Sequence, residues 1–256
     1  YNRVWPRNDT FLAFQQTGAS MNYSHLEIAH MQAEALFVHD ARDRLLRVNE
    51  PDPDGPAPRF FLVRTTLGNL WRARYDLPAD LSAELEALVA SEPVAGDLGE
   101  LREPPYHLGE YTELLKQHAP LSSTDAGPAY YLPELPPPTG SVTITPANVD
   151  LLGAHYPYTR SRYVELAPVV VRVVDGVAVA VCCSARLTKQ VPEAGVHTVE
   201  AYRGRGFALD VVRGWAADIR ATGRLPLYST SWENMASQAV AGKLGAVLYG
   251  ADVSIT

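Results

Sequence analysis

Two runs rich in β-branched residues, Val169-Val170-Val171-Arg172-Val173-Val174 and Val177-Ala178-Val179-Ala180-Val181-Cys182-Cys183, are joined by Asp175-Gly176. Asp-Gly readily adopts the positive φ angles of a tight turn, which makes this stretch a β-hairpin and commits its surroundings to antiparallel sheet. The chain around it alternates between strand and helix periods. Residues 141–145 read as a short strand, and Pro146 opens a helix toward His155. Beyond the hairpin come a strand at 193–199, a helix at 204–222, a strand at 225–230, a helix at 234–244 and a strand at 247–255. The helix at 204–222 carries an apolar stripe of Ala208, Val211, Val212, Trp215 and Ile219. The predicted order is β-α-β-β-β-α-β-α-β.

The stretch Leu132-Pro133-Glu134-Leu135-Pro136-Pro137-Pro138-Thr139-Gly140 favours extended chain without ladder hydrogen bonds, so it reads as a linker. It divides the sequence into residues 1–139 and 140–256. The first part is expected to be an α+β domain. Helices are predicted at 22–38, 79–90 (with Asp80 or Ser82 as N-cap) and 108–118, and a hairpin at 60–77 turning at Gly68-Asn69. Residues 50–58 read as a turn-rich surface loop. No catalytic pattern stands out in this part.

At 46% hydrophobic and 20% charged residues the 256-residue chain can bury a core. Its net charge of −7 argues against a broad cationic surface for nucleic acid or anionic lipid. No charge-free apolar run is long enough to span a membrane. The sequence opens on Tyr1 rather than Met, which leaves room for an upstream piece, and residues 1–6 show no apolar stretch behind a basic start. Cys182 and Cys183 are adjacent, so on a strand they point to opposite faces and cannot pair. A cytoplasmic protein is expected. His25, His30 and His39 form no metal-ligand spacing, and no metal is expected.

The chemistry-bearing segment is His197-Thr198-Val199-Glu200-Ala201-Tyr202-Arg203-Gly204-Arg205-Gly206-Phe207-Ala208. A strand runs through a glycine-rich turn into a helix. Gly204 and Gly206 let backbone approach a ligand, and successive N–H groups at a helix N-terminus suit a pyrophosphate. Arg203 and Arg205 add charge for phosphate oxygens. On local grounds an ordinary strand-to-helix turn with two exposed arginines fits equally.

Arg203-x-x-Gly206-x-Ala208 resembles the Arg/Gln-x-x-Gly-x-Gly/Ala signature of the GCN5-related N-acetyltransferase (GNAT) superfamily. Asn234-Met235-Ala236-Ser237 followed by Lys243-Leu244-Gly245-Ala246 is similar to its second motif. The predicted order over residues 141–256 is also that of the family. The resemblance implies a mixed, mostly antiparallel sheet flanked by helices, with residues 1–139 either an unrelated cap or a degenerate second copy. It implies acetyl-CoA as co-substrate, with pantetheine along the strand ending at Val199 and pyrophosphate on Arg203, Gly204, Arg205, Gly206, Phe207 and Ala208. Backbone amides near His197 and Val199 would meet the pantetheine, and Asn234 and Ser237 would complete the cofactor site. Asn234 fits an N-cap as well.

Glu193 matches the place where several members carry a catalytic base, and His197 is a second candidate. Alternation puts Glu193, Gly195, His197 and Val199 on one face. A surface carboxylate and a packed core histidine are the plain alternatives. The sequence departs from the family at Ala241, where many relatives carry a tyrosine that protonates the leaving thiolate. Tyr228, Tyr249 and Ser237 are the available substitutes. Tyr156, Tyr158, Tyr163 and Trp232 fit either an acceptor cleft or the core. The expected function is N-acetylation of a primary amine on a small molecule. A protein or peptide acetyltransferase, or a non-catalytic acyl-CoA sensor, are the alternatives. No nucleic-acid or membrane partner is expected, and a homodimer is left open.

Overall fold

The computed structural model describes residues 23–51 and 56–256. The opening residues 1–6 and part of the 50–58 loop lie outside the described residues. The first elements are α1 (His25–Leu36), β1 (Phe37–His39), β2 (Leu45–Val48), β3 (Phe60–Thr65), β4 (Gly68–Ala73), α2 (Ala79–Ser91), α3 (Leu108–His118) and β5 (Thr124–Tyr131). There follow β6 (Ser141–Thr143), α4 (Pro157–Ser161), β7 (Val169–Val174), β8 (Val177–Leu187), β9 (Pro192–Thr198), α5 (Phe207–Ala221), β10 (Leu227–Ser229), α6 (Met235–Lys243) and β11 (Val247–Ile255).

Among the described residues, β3 to β11 build one nine-stranded sheet in the order β4-β3-β11-β5-β10-β9-β8-β7-β6. Its neighbours pair antiparallel, with one exception: β9 and β10 run parallel. Helix α1, the 3-10 turn Val149–Leu152 and α4 cover one face. Helices α2, α3, α5 and α6 cover the other. The fold is α+β, with a mostly antiparallel mixed sheet flanked by helices, and from β6 onward it follows the predicted order.

The boundary at 139–140 does not part the strands in space. β5, which precedes the proline-rich stretch, lies between β10 and β11, and β11 also pairs with β3. The proline-rich stretch itself is fastened to α5. Arg220 donates to the Leu132 and Pro133 carbonyls, and Asp210 accepts from the Thr139 N–H at 2.7 Å. Asp210 also pairs with Arg172 of β7 at 3.1 Å, tying the first turns of α5 to the sheet.

β5 lies where no strand is predicted, and a Gly-Pro pair such as its Gly127-Pro128 is unfavourable inside a central strand. The structure gives each a reason. A Cβ on Gly127 would sit 1.7 Å from the Thr230 carbonyl oxygen, so only glycine admits this crossing of chains. Pro128 lacks an N–H, but its carbonyl still accepts from Thr230 at 3.4 Å.

Other local expectations shift. The β3–β4 hairpin turns at Thr66-Leu67, with Thr65 paired to Gly68, not at Gly68-Asn69. Thr65 Oγ1 accepts from the Leu67 N–H and donates to the Gly68 carbonyl, closing the turn with a side chain. The helix expected from Pro146 to His155 is only the 3-10 turn Val149–Leu152, broken by Gly153 at φ +50°. Neither Asp80 nor Ser82 caps α2, whose N-cap position is Pro78. Instead α1 carries a full capping box, Ser24 with Glu27. No helix among the described residues is long and apolar enough to cross a membrane.

Candidate active site

The site begins where β9 and β10 part. They share the register pair Glu193–Leu227, after which the two strands separate. The fork between them opens into a cleft of about 640 Å³. Ala194, Val196, His197 and Thr198 line one wall, and Tyr228, Ser229 and Thr230 the other. Helix α6 closes a side with Asn234, Ser237, Val240 and Lys243, and the mouth reaches Arg203, Gly204, Gly206, Phe207 and Ala208.

Strand alternation fixes what each wall offers. The Val199 N–H donates to the Val179 carbonyl of β8 at 2.9 Å. In this antiparallel register the His197 N–H also faces β8, while the N–H groups of Val196 and Thr198 face the fork. The backbone donors available to a ligand, expected near His197 and Val199, are thus those of Val196 and Thr198. The Val199 side chain packs with the cluster around Leu152 and Tyr156, outside the cleft. Thr198 Oγ1 is buried with no hydrogen-bond partner.

The turn is built to hold its shape. Gly204 and Gly206 sit at φ +75° and +78°, and a Cβ at either would meet only open space. Their glycine preference therefore comes from backbone conformation, and the space above them is free. Gly206 is the N-cap position of α5, which leaves that helix's first N–H groups facing the mouth. Arg205 stacks on Tyr202 at 5.0 Å and donates to the Ala201 carbonyl, and it does not line the cleft. Tyr202 in turn stacks on Phe207 at 6.4 Å. Arg203 Nε donates to the Thr198 carbonyl at 3.3 Å, holding the turn against the end of β9.

Asn234 caps α6 by accepting from the Ser237 N–H at 3.0 Å, while also lining the cleft. Ser237 Oγ meets the Tyr228 hydroxyl at 2.7 Å. Burial raises the Tyr228 pKa, which the Ser237 hydrogen bond partly offsets, so the phenol stays protonated. Ala241 is fully buried against the α5 side of the core and lines no part of the cleft.

Glu193 is 2% exposed and points away from α5 and α6, so neither surface exposure nor direct lining of the cleft describes it. Ser229 Oγ donates to Glu193 Oε1 at 2.7 Å, and Ser229 lines the cleft. Burial raises the Glu193 pKa, while the Ser229 hydrogen bond and the Arg186 charge act against the shift. His197 is exposed rather than core-packed, edge-on to Tyr156 at 5.6 Å. Cys182 and Cys183 face opposite sides of β8, and burial pushes the Cys183 thiol up to about 12.

The cleft also collects residues that the motifs did not single out as ligands: Tyr202, Tyr228, Thr230 and Lys243. For Tyr228 and Lys243 a signal existed. One precedes Asn234 on the facing strand, and the other lies within the second motif.

No protein-family model and no curated protein matches this chain. Solved structures do resemble it. A GCN5-related N-acetyltransferase from Kribbella flavida aligns at 16% identity over 92% of this chain and 96% of its own, with a TM-score of 0.44. A GNAT-family acetyltransferase from Colwellia psychrerythraea aligns at 13% identity over 91% and 97%, with a TM-score of 0.45. The Salmonella typhimurium protein yncA, described with its cofactor acetyl-CoA, aligns at 15% identity over 46% of this chain and 92% of its own, with a TM-score of 0.34. From β6 to β11, the chain has the element order that the sequence resemblance to GCN5-related N-acetyltransferases implies.

Proposed function

We propose that the chain is an acetyl-CoA-dependent N-acetyltransferase whose acceptor is a primary amine on a small molecule. The observation that carries this reading is the fork between parallel strands, leading without interruption to a glycine turn at a helix N-terminus. A long, thin ligand with a phosphorylated end suits that shape. The fit is supported by the fork-facing N–H groups of Val196 and Thr198, the unpartnered Thr198 Oγ1, and the open space above Gly204 and Gly206.

In this reading the first N–H groups of α5, with Arg203 and Lys243, hold phosphate. Asn234 and Thr198 orient the arm along the cleft. When bound, acetyl-CoA supplies an acyl carbon activated as a thioester. The Val196 and Thr198 N–H groups offer donors where negative charge develops on a carbonyl oxygen. Glu193 takes the proton that the attacking amine must lose, with the Ser229 hydroxyl between it and the cleft. The Tyr228 O–H, held by Ser237, serves the leaving sulfur in place of a tyrosine at position 241. His197 is the second candidate base, on the strength of its exposure at the cleft.

One observation favours a second reading, a module that holds acyl-CoA without turnover: Glu193 is walled off from the cleft and Ala241 is buried. Incubating the protein with acetyl-CoA and a panel of small amines, with detection of released thiol, separates the two. Thiol release that depends on the amine supports the enzyme. Tight CoA binding without release across the panel supports the module.

A further inference from the structure

The glycine turn is held by side chains that do not line the cleft. Arg172 of β7 donates from Nη1 to Asp210 Oδ2 of α5 at 3.1 Å, and its guanidinium stands over the Phe207 ring, with Cζ 5.2 Å from the ring centre. Phe207, the first residue of α5, stacks with Tyr202, and Arg205 stands over Tyr202 in turn. Arg172, Phe207, Tyr202 and Arg205 are thus linked in series, and the last three are interleaved with Gly204 and Gly206 in sequence. Phe207 and Tyr202 line the cleft; Arg172, Asp210 and Arg205 do not.

Asp210 anchors this series. It is 6% exposed, and its carboxylate accepts from the Thr139 N–H at 2.7 Å, the Thr139 hydroxyl at 3.2 Å and Arg172. Its own N–H donates to the Gly206 carbonyl at 3.3 Å, so the clamp sits one helical turn from the glycine at φ +78°. Arg172 is confined as well. Its Nε has no hydrogen-bond partner, and a Cβ on Gly140 would lie 1.6 Å from Nη1, so the guanidinium packs directly on the Gly140 backbone.

Charge alone does not explain a carboxylate at this place. An anion in the first turn of a helix competes with a phosphate for the positive end of the helix dipole and repels it. What Asp210 supplies is direction. It fastens α5 to β7 and to the proline-rich stretch, and Arg172, bonded to it, fixes the Phe207 ring. The N–H groups that follow Gly206 are thereby oriented before any ligand arrives. Donors already oriented bind an anion more tightly than the same donors on a loose turn, because less freedom is lost on binding.

We infer that Arg172 and Asp210 are positioning residues for the phosphate-holding turn, acting through Phe207 and the first turn of α5. That the phosphate belongs to CoA rests on the acetyl-transfer reading.

Calorimetric titration of CoA and of inorganic pyrophosphate into the full chain, Arg172→Met and Asp210→Asn tests this by sign. The first substitution removes a positive charge and the second a negative one. A plain field effect therefore weakens CoA binding in Arg172→Met and strengthens it in Asp210→Asn. Positioning weakens it in both, by about tenfold, the equivalent of one charged hydrogen bond lost from the clamp. Gly140→Ala changes no charge and drives the Arg172 guanidinium from its place. It should weaken CoA binding too, and it carries the test should either charge variant fold poorly. Tighter or unchanged CoA binding in folded Asp210→Asn, or in Gly140→Ala where only that variant folds, overturns the inference and leaves the cofactor reading standing. If the wild type does not bind CoA, the acetyl-transfer reading falls, and the same comparison on pyrophosphate decides the role of the clamp. A wild type that binds neither probe overturns both.

Discussion

Ser229 Oγ lies 2.7 Å from Glu193 Oε1, and it is the residue through which a buried carboxylate reaches a cleft it does not line. The pair bridges β9 and β10 beside their shared register position, at the apex of the fork. Glu193 itself lies on the opposite face of the sheet, so Ser229 is the residue that touches both the carboxylate and the cofactor-shaped space.

Replacing Glu193 with Gln keeps the shape of the side chain and removes its basicity. General-base help is worth about 10²–10⁴ in rate, so kcat should fall by that order while CoA affinity stays near wild type. Because burial raises the Glu193 pKa, the wild-type rate should climb with pH as the carboxyl ionises. The gap between the proteins should narrow at high pH, where free amine is abundant. A Gln variant turning over within about threefold of wild type at every pH, far below the usual effect, would assign Glu193 a structural role and make His197 the next candidate.

Asp252→Asn should stabilise the free protein near pH 8 and leave it unchanged near pH 4. Burial, with repulsion from Glu193, pushes the Asp252 carboxyl up to about 7, against the opposing Gln32 hydrogen bond and Arg186 charge. A carboxyl raised in the folded state favours folding most below its unfolded value of about 3.9, and that contribution drains away as pH rises toward the folded value. Asn has no proton to lose and can still accept from Gln32. Urea unfolding should show a gain on the order of 1–3 kcal/mol at the higher pH only. An equal gain at both pH values would mean that titration of Asp252 is not its source.

Tyr228→Phe removes the hydroxyl that meets Ser237 and leaves the ring packed. Stability should drop by about 1 kcal/mol, the net worth of a typical hydrogen bond. Under the acetyl-transfer reading kcat should also fall, with CoA affinity intact. Steady-state kinetics on an identified acceptor decide this; unchanged kcat would remove Tyr228 as proton donor.

Gly127→Ala should be among the most damaging single substitutions in the sheet. Its Cβ would lie 1.7 Å from the Thr230 oxygen, a contact with backbone that no rotamer relieves. A loss of at least about 3 kcal/mol, or failure to fold, is expected from forcing β5 and β10 apart. Thermal melts within a degree or two of wild type would show that the crossing is looser than described.

Elements built on strong local periodicity were legible before the structure. The β7–β8 hairpin follows from alternation around Asp175-Gly176, and α3 and β11 fall where their patterns place them. The fork was not legible as a shape, because it depends on where two strands distant in sequence stop pairing. β5 stayed hidden because Gly127 and Pro128 answer to a close chain crossing rather than to strand propensity. The placement of Glu193 behind the cleft was half visible. Alternation gives it the opposite face from Ala194, but the cover on that face comes from α1, which lies on the other side of the predicted 139–140 boundary. Arg203, Gly206 and Asn234 were readable because turn conformation and capping are local demands.

Titration calorimetry of acetyl-CoA into the wild-type chain and into Gly206→Val bears on the cofactor reading without needing an acceptor. Gly206 holds φ +78° at the start of α5, and a β-branched residue there would both strain the turn and fill the space above it. The wild type should bind one equivalent, and the folded variant should bind at least about tenfold more weakly, as expected from losing backbone contacts to a phosphate. No binding to the wild type, or equal affinity in a folded Gly206→Val protein, would contradict the assignment of the cleft and its turn to acetyl-CoA.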